Sequence, residues 1–165
     1  MCSSDLRIDY LLGLYEPEIN LVQFNLLDSH DTPRFITTAG GDLSALKLGW
    51  LFLFTYVGAP CLYYGDEIGL SGGPDPVCRV SFGWDNGGWD LGVIGYAKSI
   101  IRLRHNHPAL RRGTFRRLYA KDNIYAFARR SRVSVKMKRS LLPSMAGPAL
   151  LPPPSPPHRD WLMVL

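Results

Sequence analysis

The chain has 165 residues, enough for one ordinary domain, with 46% hydrophobic residues and a formal net charge of +5. The positive balance would suit an acidic partner such as nucleic acid, but it is not spread over the chain. Residues from Ser131 onward carry Arg132, Lys136, Lys138, Arg139 and Arg159 against Asp160, a net of +4, which leaves only +1 for residues 1–130. Neither a nucleic-acid nor a membrane partner is therefore expected. Cys2, Cys61 and Cys78 are an odd, scattered set without the close pairs of a zinc site or disulfide framework, so they read as buried or idle thiols.

In chain order, Met1–Asp5 has no basic n-region or long apolar run, so no signal peptide is visible and a cytoplasmic location is expected. Ile8, Leu11, Leu12 and Tyr15 recur at helical spacing, and Pro17 ends that helix. Asn20–Leu27 is a short run apolar enough to be a strand buried on both faces, as in a parallel sheet. Gly40-Gly41-Asp42 supplies a turn and an N-cap before a core-facing helix through Leu43, Leu46, Trp50, Leu53 and Val57.

The apolar stretch Leu48–Tyr64 is split by Gly58 and Pro60 and falls short of the roughly 20 residues that span a bilayer. It reads as a buried helix followed by a buried strand, Pro60–Tyr64. The Gly- and Pro-rich stretch Ser71–Pro76 makes a loop, completing a βαβ pattern. A further helix runs from about Leu91 to Asn106 through Val93, Tyr96, Ile100 and Leu103, stopping before Pro108. Thr114–Ala120 and Ile124–Arg129 alternate around Lys121-Asp122-Asn123 as a hairpin. Residues 131–165 hold seven of the 13 prolines and no sustained period, so this tail is expected to be disordered or polyproline-like.

Three segments carry a family resemblance. Asn25-Leu26-Leu27-Asp28-Ser29-His30-Asp31-Thr32-Pro33-Arg34-Phe35 resembles the seventh-strand motif of the α-amylase superfamily, glycoside hydrolase family 13. Gly58-Ala59-Pro60-Cys61-Leu62-Tyr63-Tyr64-Gly65-Asp66-Glu67-Ile68-Gly69 resembles its eighth-strand motif. Gly72-Gly73-Pro74-Asp75-Pro76-Val77-Cys78-Arg79 is similar to the loop that follows in neopullulanase and cyclomaltodextrinase types.

The resemblance implies an α/β fold: residues 1–110 as the carboxyl-terminal part of a (β/α)8 TIM barrel, with strands seven and eight and their helices. Residues 111–130 would start an all-β sandwich, and residues 131–165 would be the proline-rich tail. A whole barrel takes roughly 250 residues, so a piece is expected. Met1–Leu6 is also the peptide that a common sequencing-adapter string encodes when GTG is read as a start. The pattern after Arg130 collapses as a frameshift would make it, so native sequence is expected from about Arg7 to Arg130.

Retaining glycosidases use a carboxylate nucleophile and a carboxylic general acid roughly 5 to 5.5 Å apart. In the family these are an Asp ending strand four and a Glu ending strand five, and neither strand is expected here. Arg7-Ile8-Asp9 imitates the nucleophile motif, but Asp9 lies only 22 positions before Asp31, whereas three βα repeats of about 30 residues each should intervene. Asp9 is expected to be an exposed helix residue.

The resemblance gives Asp31 the role of the third carboxylate, the transition-state stabiliser, and makes His30 a ligand of the same sugar's hydroxyls. A surface or capping pair is the ordinary reading of an isolated His-Asp, and here the neighbouring motifs outweigh it. Arg34 either pairs with a carboxylate and positions its loop or is solvated. Asp66 and Glu67, at a strand end, are functional candidates, or Glu67 anchors neighbouring loops. Asp75 and Arg79 bracket sugar hydroxyls as substrate-binding residues, or form a mutual ion pair that holds their loop. Tyr63, Trp84 and Trp89 could stack on sugar faces, but large aromatics are more often core residues, and none is assigned as a platform.

The expected function is therefore a piece of a retaining α-glucan-acting glycoside hydrolase that cleaves or transfers α-glucosidic bonds, inactive alone and prone to aggregate through its open sheet edges. Its partner would be an α-glucan or maltodextrin substrate. No metal or cofactor is expected in this piece, and calcium belongs to the parent enzyme if anywhere. A noncatalytic amylase-like interaction module or a sugar-binding module is the alternative.

Overall fold

The structure is a computed structural model that describes residues 3–85, 87–121, 124–131 and 161–164. Helix α1 (Ser3–Gly13) leads through α2 (Pro17–Asn20) to strand β1 (Phe24–Asn25). Pro17 opens α2 because the first turn of a helix does not need its missing N–H. The short α3 (Phe35–Thr38) and the longer α4 (Leu43–Thr55) then carry the chain back to β2 (Ala59–Pro60). β1 and β2 pair in parallel, Phe24 opposite Ala59 and Asn25 opposite Pro60, so β1, α4 and β2 form one βαβ unit.

Local chemistry sets the ends of these elements. Asp42 caps α4 by accepting from the Ser44 N–H at 2.7 Å and the Ala45 N–H at 3.3 Å. The turn into β2 needs Gly58, with φ of +102°, where an added Cβ would lie 2.3 Å from the Asn25 amide nitrogen and 2.6 Å from the Gln23 carbonyl. Asn25 itself donates to the Val57 carbonyl at 2.7 Å.

Helix α5 (Leu91–Asn106) packs along α4, capped by Asp90 through the Gly92 and Val93 N–H groups at 2.8 and 3.0 Å. The core is their shared seam: Leu46, Trp50, Leu53 and Phe54 from α4 meet Val93, Ala97 and Ile100 from α5, with Ile36 from α3. Each of the larger aliphatic and phenylalanine side chains stabilises the fold by about 1.5–3 kcal/mol when fully buried. Trp50 also stacks on Tyr96 at 6.4 Å.

The short α6 (Pro108–Arg112) leads to an antiparallel sheet of β3 (Thr114–Lys121), β4 (Ile124–Arg130) and β5 (Trp161–Val164), in the order β3-β4-β5. An aromatic cluster joins this sheet to α4: Phe127 lies 5.9 Å from Phe52 and 4.8 Å from Phe115, which in turn meets Tyr56 at 5.7 Å. Buried guanidinium groups complete the join. Arg129 donates to the Thr55 carbonyl at 2.8 Å and the Gly113 carbonyl at 3.0 Å, while Arg104 donates to the Phe54 carbonyl at 2.7 Å and to those of Tyr56 and Gly58. Apart from that of Gly113, which follows α6, these carbonyls belong to the last turn of α4 and the chain just beyond it, where helical acceptors lack intrahelical donors.

Several expectations are corrected. The strand of residues 20–27 is not buried on both faces: Val22, Phe24 and Leu26 are 74%, 67% and 43% exposed, because β1 is paired only with β2 among the described residues. Of the second expected strand, Pro60–Tyr64, only Pro60 falls in a strand, β2 (Ala59–Pro60), and Cys61–Tyr64 continues beyond it. Asp9 is half-buried rather than exposed, in an ion pair with Arg117 at 2.5 Å that ties α1 to β3. The tail is not wholly irregular. Trp161–Val164 is β-prone and pairs antiparallel with β4, Arg130 opposite Trp161, covering an edge that would otherwise present open hydrogen-bonding groups. Residues 132–160, on which most of the expected disorder and the frameshift fall, lie outside the described residues. Among the described residues no helix is long and apolar enough to cross a membrane.

Candidate functional site

The chain leaving β1 makes a tight turn at the carboxyl end of the strand. Ser29 N–H donates to the Thr32 hydroxyl at 3.0 Å, Asp31 N–H to the Ser29 hydroxyl at 3.2 Å, and Thr32 N–H to the Ser29 carbonyl at 3.4 Å. Small hydroxyl side chains closing their own backbone in this way favour a turn over strand continuation. The turn presents His30 and Asp31 to solvent, 63% and 72% exposed, with His30 Nε2 3.3 Å from Asp31 Oδ2. A carboxylate that accepts and an imidazole that can both donate and accept suit the hydroxyls of a polyol.

Beneath the turn lies a buried polar centre built around Arg34, which is fully enclosed. Its backbone N–H donates to the Gly72 carbonyl at 2.9 Å. Its guanidinium donates from Nε to the Cys78 carbonyl at 3.1 Å, and from Nη1 to Asp66 Oδ1 at 2.9 Å and to the Tyr64 carbonyl. The plane of the group is covered by the rings of Tyr63 and Tyr64, with centroids at 4.3 and 4.7 Å. Nη2 has no hydrogen-bond acceptor among the described residues.

Asp28, also buried, accepts the Phe35 N–H at 2.6 Å. Burial, followed by hydrogen bonding and repulsion from Asp28, pushes the Asp66 carboxyl up to about 8, with Arg34 pulling in the opposite direction. The shift favours the protonated form of Asp66 at neutral pH, beside Asp28, with Arg34 bound to Asp66 Oδ1.

The loop after β2 supplies the other expected pair. Asp75 and Arg79 form an ion pair, with Arg79 Nε donating to Asp75 Oδ1 at 2.8 Å, and both side chains are about half exposed. The aspartate partner raises the Arg79 pKa. Tyr64 hydroxyl holds the end of this loop through the Val80 carbonyl at 2.8 Å. Between the two exposed pairs sits Cys78, fully buried, whose thiol donates to the His30 carbonyl at 3.2 Å.

The structure places the residues whose roles the sequence left open. Arg34 is a buried partner of Asp66, and Asp75 and Arg79 are paired with each other. Glu67 is half-buried and makes no hydrogen bond or ion pair among the described residues, so Asp66 is the anchor at that strand end. Trp84 is exposed and packs at a tilt against Phe82, while Trp89 donates to the Gly83 carbonyl at 2.7 Å, and Tyr63 lies on Arg34. Sequence reasoning missed Asp28, although a carboxylate in an apolar strand end just before the polar turn was a legible sign. Among the described residues no group of three or more His, Cys, Asp or Glu side chains is placed to hold a metal ion.

A βαβ unit with polar side chains displayed beyond the carboxyl ends of its strands is the arrangement of an α/β enzyme site. Residues 11–87 match the family described as alpha amylase, catalytic domain. The chain is 51% identical over 121 residues to a cyclomaltodextrinase from a Bacillus species, covering 71% of this chain and 22% of that protein. It is 44% identical over 118 residues to neopullulanase 2 from Thermoactinomyces vulgaris, covering 70% of this chain and 20% of the relative. Among solved structures it superposes on the native debranching enzyme of Nostoc punctiforme with a TM-score of 0.71 and 45% identity, over 76% of this chain and 26% of that one. The chain belongs to the α-amylase superfamily, and it spans about a fifth of the length of these two relatives.

Proposed function

We propose that this chain is the carboxyl-terminal part of the catalytic barrel of a retaining α-glucan-acting glycoside hydrolase, with β1 and β2 as strands seven and eight and β3 to β5 as the opening of the following sandwich. Asp31 is the carboxylate that stabilises the transition state, and His30 binds hydroxyls of the same sugar. Asp75 and Arg79 meet the substrate from the following loop. The nucleophile and general acid belong to other strands, so the chain by itself binds α-glucan without turning it over. The observation that carries this reading is the His30–Asp31 pair, adjacent, exposed and held on a turn at the carboxyl end of a parallel strand.

The exposed row Val22, Phe24 and Leu26 supports the assignment to a barrel, because barrel strands are covered on both faces by neighbouring elements. The test is a titration of the isotope-labelled chain with maltotriose, followed by NMR and by a reducing-sugar assay. The expected result is a shift of the His30 and Asp31 signals with no sugar released. Released sugar overturns the claim of inactivity, and an unchanged spectrum at saturating maltotriose overturns the site assignment.

A further inference from the structure

We propose that Arg34 and Cys78 are positioning residues that lock the His30–Asp31 turn and the Asp75–Arg79 loop into one unit, so that an α-glucan is gripped by both pairs at a fixed separation. The inference rests on the sugar-binding reading above and adds how the two pairs are kept in register.

The connection is continuous and buried. Asp66, in the short helical turn Asp66–Ile68 beyond β2, receives Nη1 of Arg34, and Nε of the same guanidinium holds the Cys78 carbonyl. The Cys78 thiol then reaches back to the His30 carbonyl, 48 positions earlier in the chain, and the next residue is Arg79. A single residue thus touches the backbone of one exposed pair and is covalently joined to a member of the other. Backbone links run in parallel: Arg34 N–H to the Gly72 carbonyl, and Gly72 N–H to the Thr37 hydroxyl at 2.9 Å. The loop lies so close that a Cβ on Gly72 would come within 2.7 Å of the Val77 carbonyl and 3.2 Å of Arg34 Cγ.

Exposed polar side chains on two separate loops would ordinarily wander, and each would lose conformational freedom on binding. Here the exposed pairs stand on a rigid base, which is the condition for polar groups to select one sugar orientation. Arg34 suits the role better than lysine would, because its fixed fork serves three acceptors while two tyrosine rings lie against it. The thiol of Cys78 is a weak donor, yet it is fully buried, and its removal leaves the His30 carbonyl without that partner.

The test uses the whole chain and two independent readouts. First, alkylation of each cysteine by iodoacetamide is followed by mass spectrometry, with half-buried Cys61 as the internal control. Arg34→Gln should make Cys78 react about tenfold faster while leaving Cys61 unchanged, with Arg34→Lys in between. Second, maltotriose affinity is read from the His30 and Asp31 signals. Cys78→Ala should weaken it about fivefold, and Cys78→Ser should restore most of the loss.

Unchanged Cys78 reactivity in Arg34→Gln, or wild-type maltotriose affinity in Cys78→Ala, overturns the coupling. If wild-type chain ignores maltotriose, the binding reading fails instead, and the coupling is decided by alkylation and by whether Cys78→Ala moves the His30 and Asp31 backbone signals. Should Arg34→Gln fail to fold, the Cys78→Ala and Cys78→Ser pair decides the matter alone.

Discussion

Arg34 and the pair Arg104 and Arg129 are all buried guanidinium groups, yet they collect different acceptors. At the carboxyl ends of the strands, Arg34 faces a carboxylic acid, two carbonyls and two tyrosine rings. At the opposite end, Arg104 and Arg129 take only backbone carbonyls among the described residues, most of them at the end of α4. Carbonyls there are orphaned by helix geometry and lie at the negative end of the helix dipole, so cations satisfy them without any acidic partner. Burial lowers the pKa of both arginines, and that of Arg129 falls to about 10, still charged at neutral pH. One end of the sheet is therefore fastened by groups that do not titrate near neutrality, while the end that carries the candidate site holds a proton that does.

The largest expected effect falls on the carbonyl-bound end. Arg104→Met should lower stability by about 3 kcal/mol, because it strands several buried carbonyls at once. Urea denaturation at several pH values measures it, and the loss should be the same at each. A loss confined to one pH range would erase the distinction between the two centres.

Asp66 gives the next effect, with a definite sign. Its folded pKa of about 8 lies above its ordinary value of 3.8, so between those values the folded chain holds a proton that the unfolded chain has released. Stability should then be greatest below about pH 4, decline as pH rises to about 8, and level off above it. Asp66→Asn should flatten that decline. A wild-type urea midpoint that rises across the same window would show Asp66 to be ionised and held by Arg34 as a simple ion pair. The smallest effect belongs to Asp75→Asn: its pair with Arg79 is exposed and screened, so the thermal midpoint should not move measurably. A clear fall would mean that the ion pair, and not the buried centre, holds the loop.

Much of the fold was legible in the sequence because its signals are local. The periodicity of Leu46, Trp50 and Leu53, the Asp42 cap and the apolar seam of α5 all reappear as the packed pair α4 and α5. The hairpin was legible for the same reason, from its alternation. What stayed hidden depends on contacts distant in sequence. Nothing near Arg104 or Arg129 tells that they will meet the end of α4, and nothing near Cys78 tells that its thiol will find His30. The sequence places His30, Asp31, Asp75 and Arg79 in the chain. Only the folded chain sets the two pairs on either side of a buried cysteine and resolves Arg34 as a buried partner.

Gly58 shows how narrow some of these requirements are. With φ of +102° and an atom each of Gln23 and Asn25 within 2.6 Å of where a side chain would begin, neither the backbone nor the space admits another residue. In a library of all single substitutions, position 58 should be a void with no permitted alternative. Gly40 shares a positive φ but faces open space, and should accept asparagine or aspartate. Two glycines in similar turns would thus have opposite tolerances, set by which of them a neighbouring strand passes.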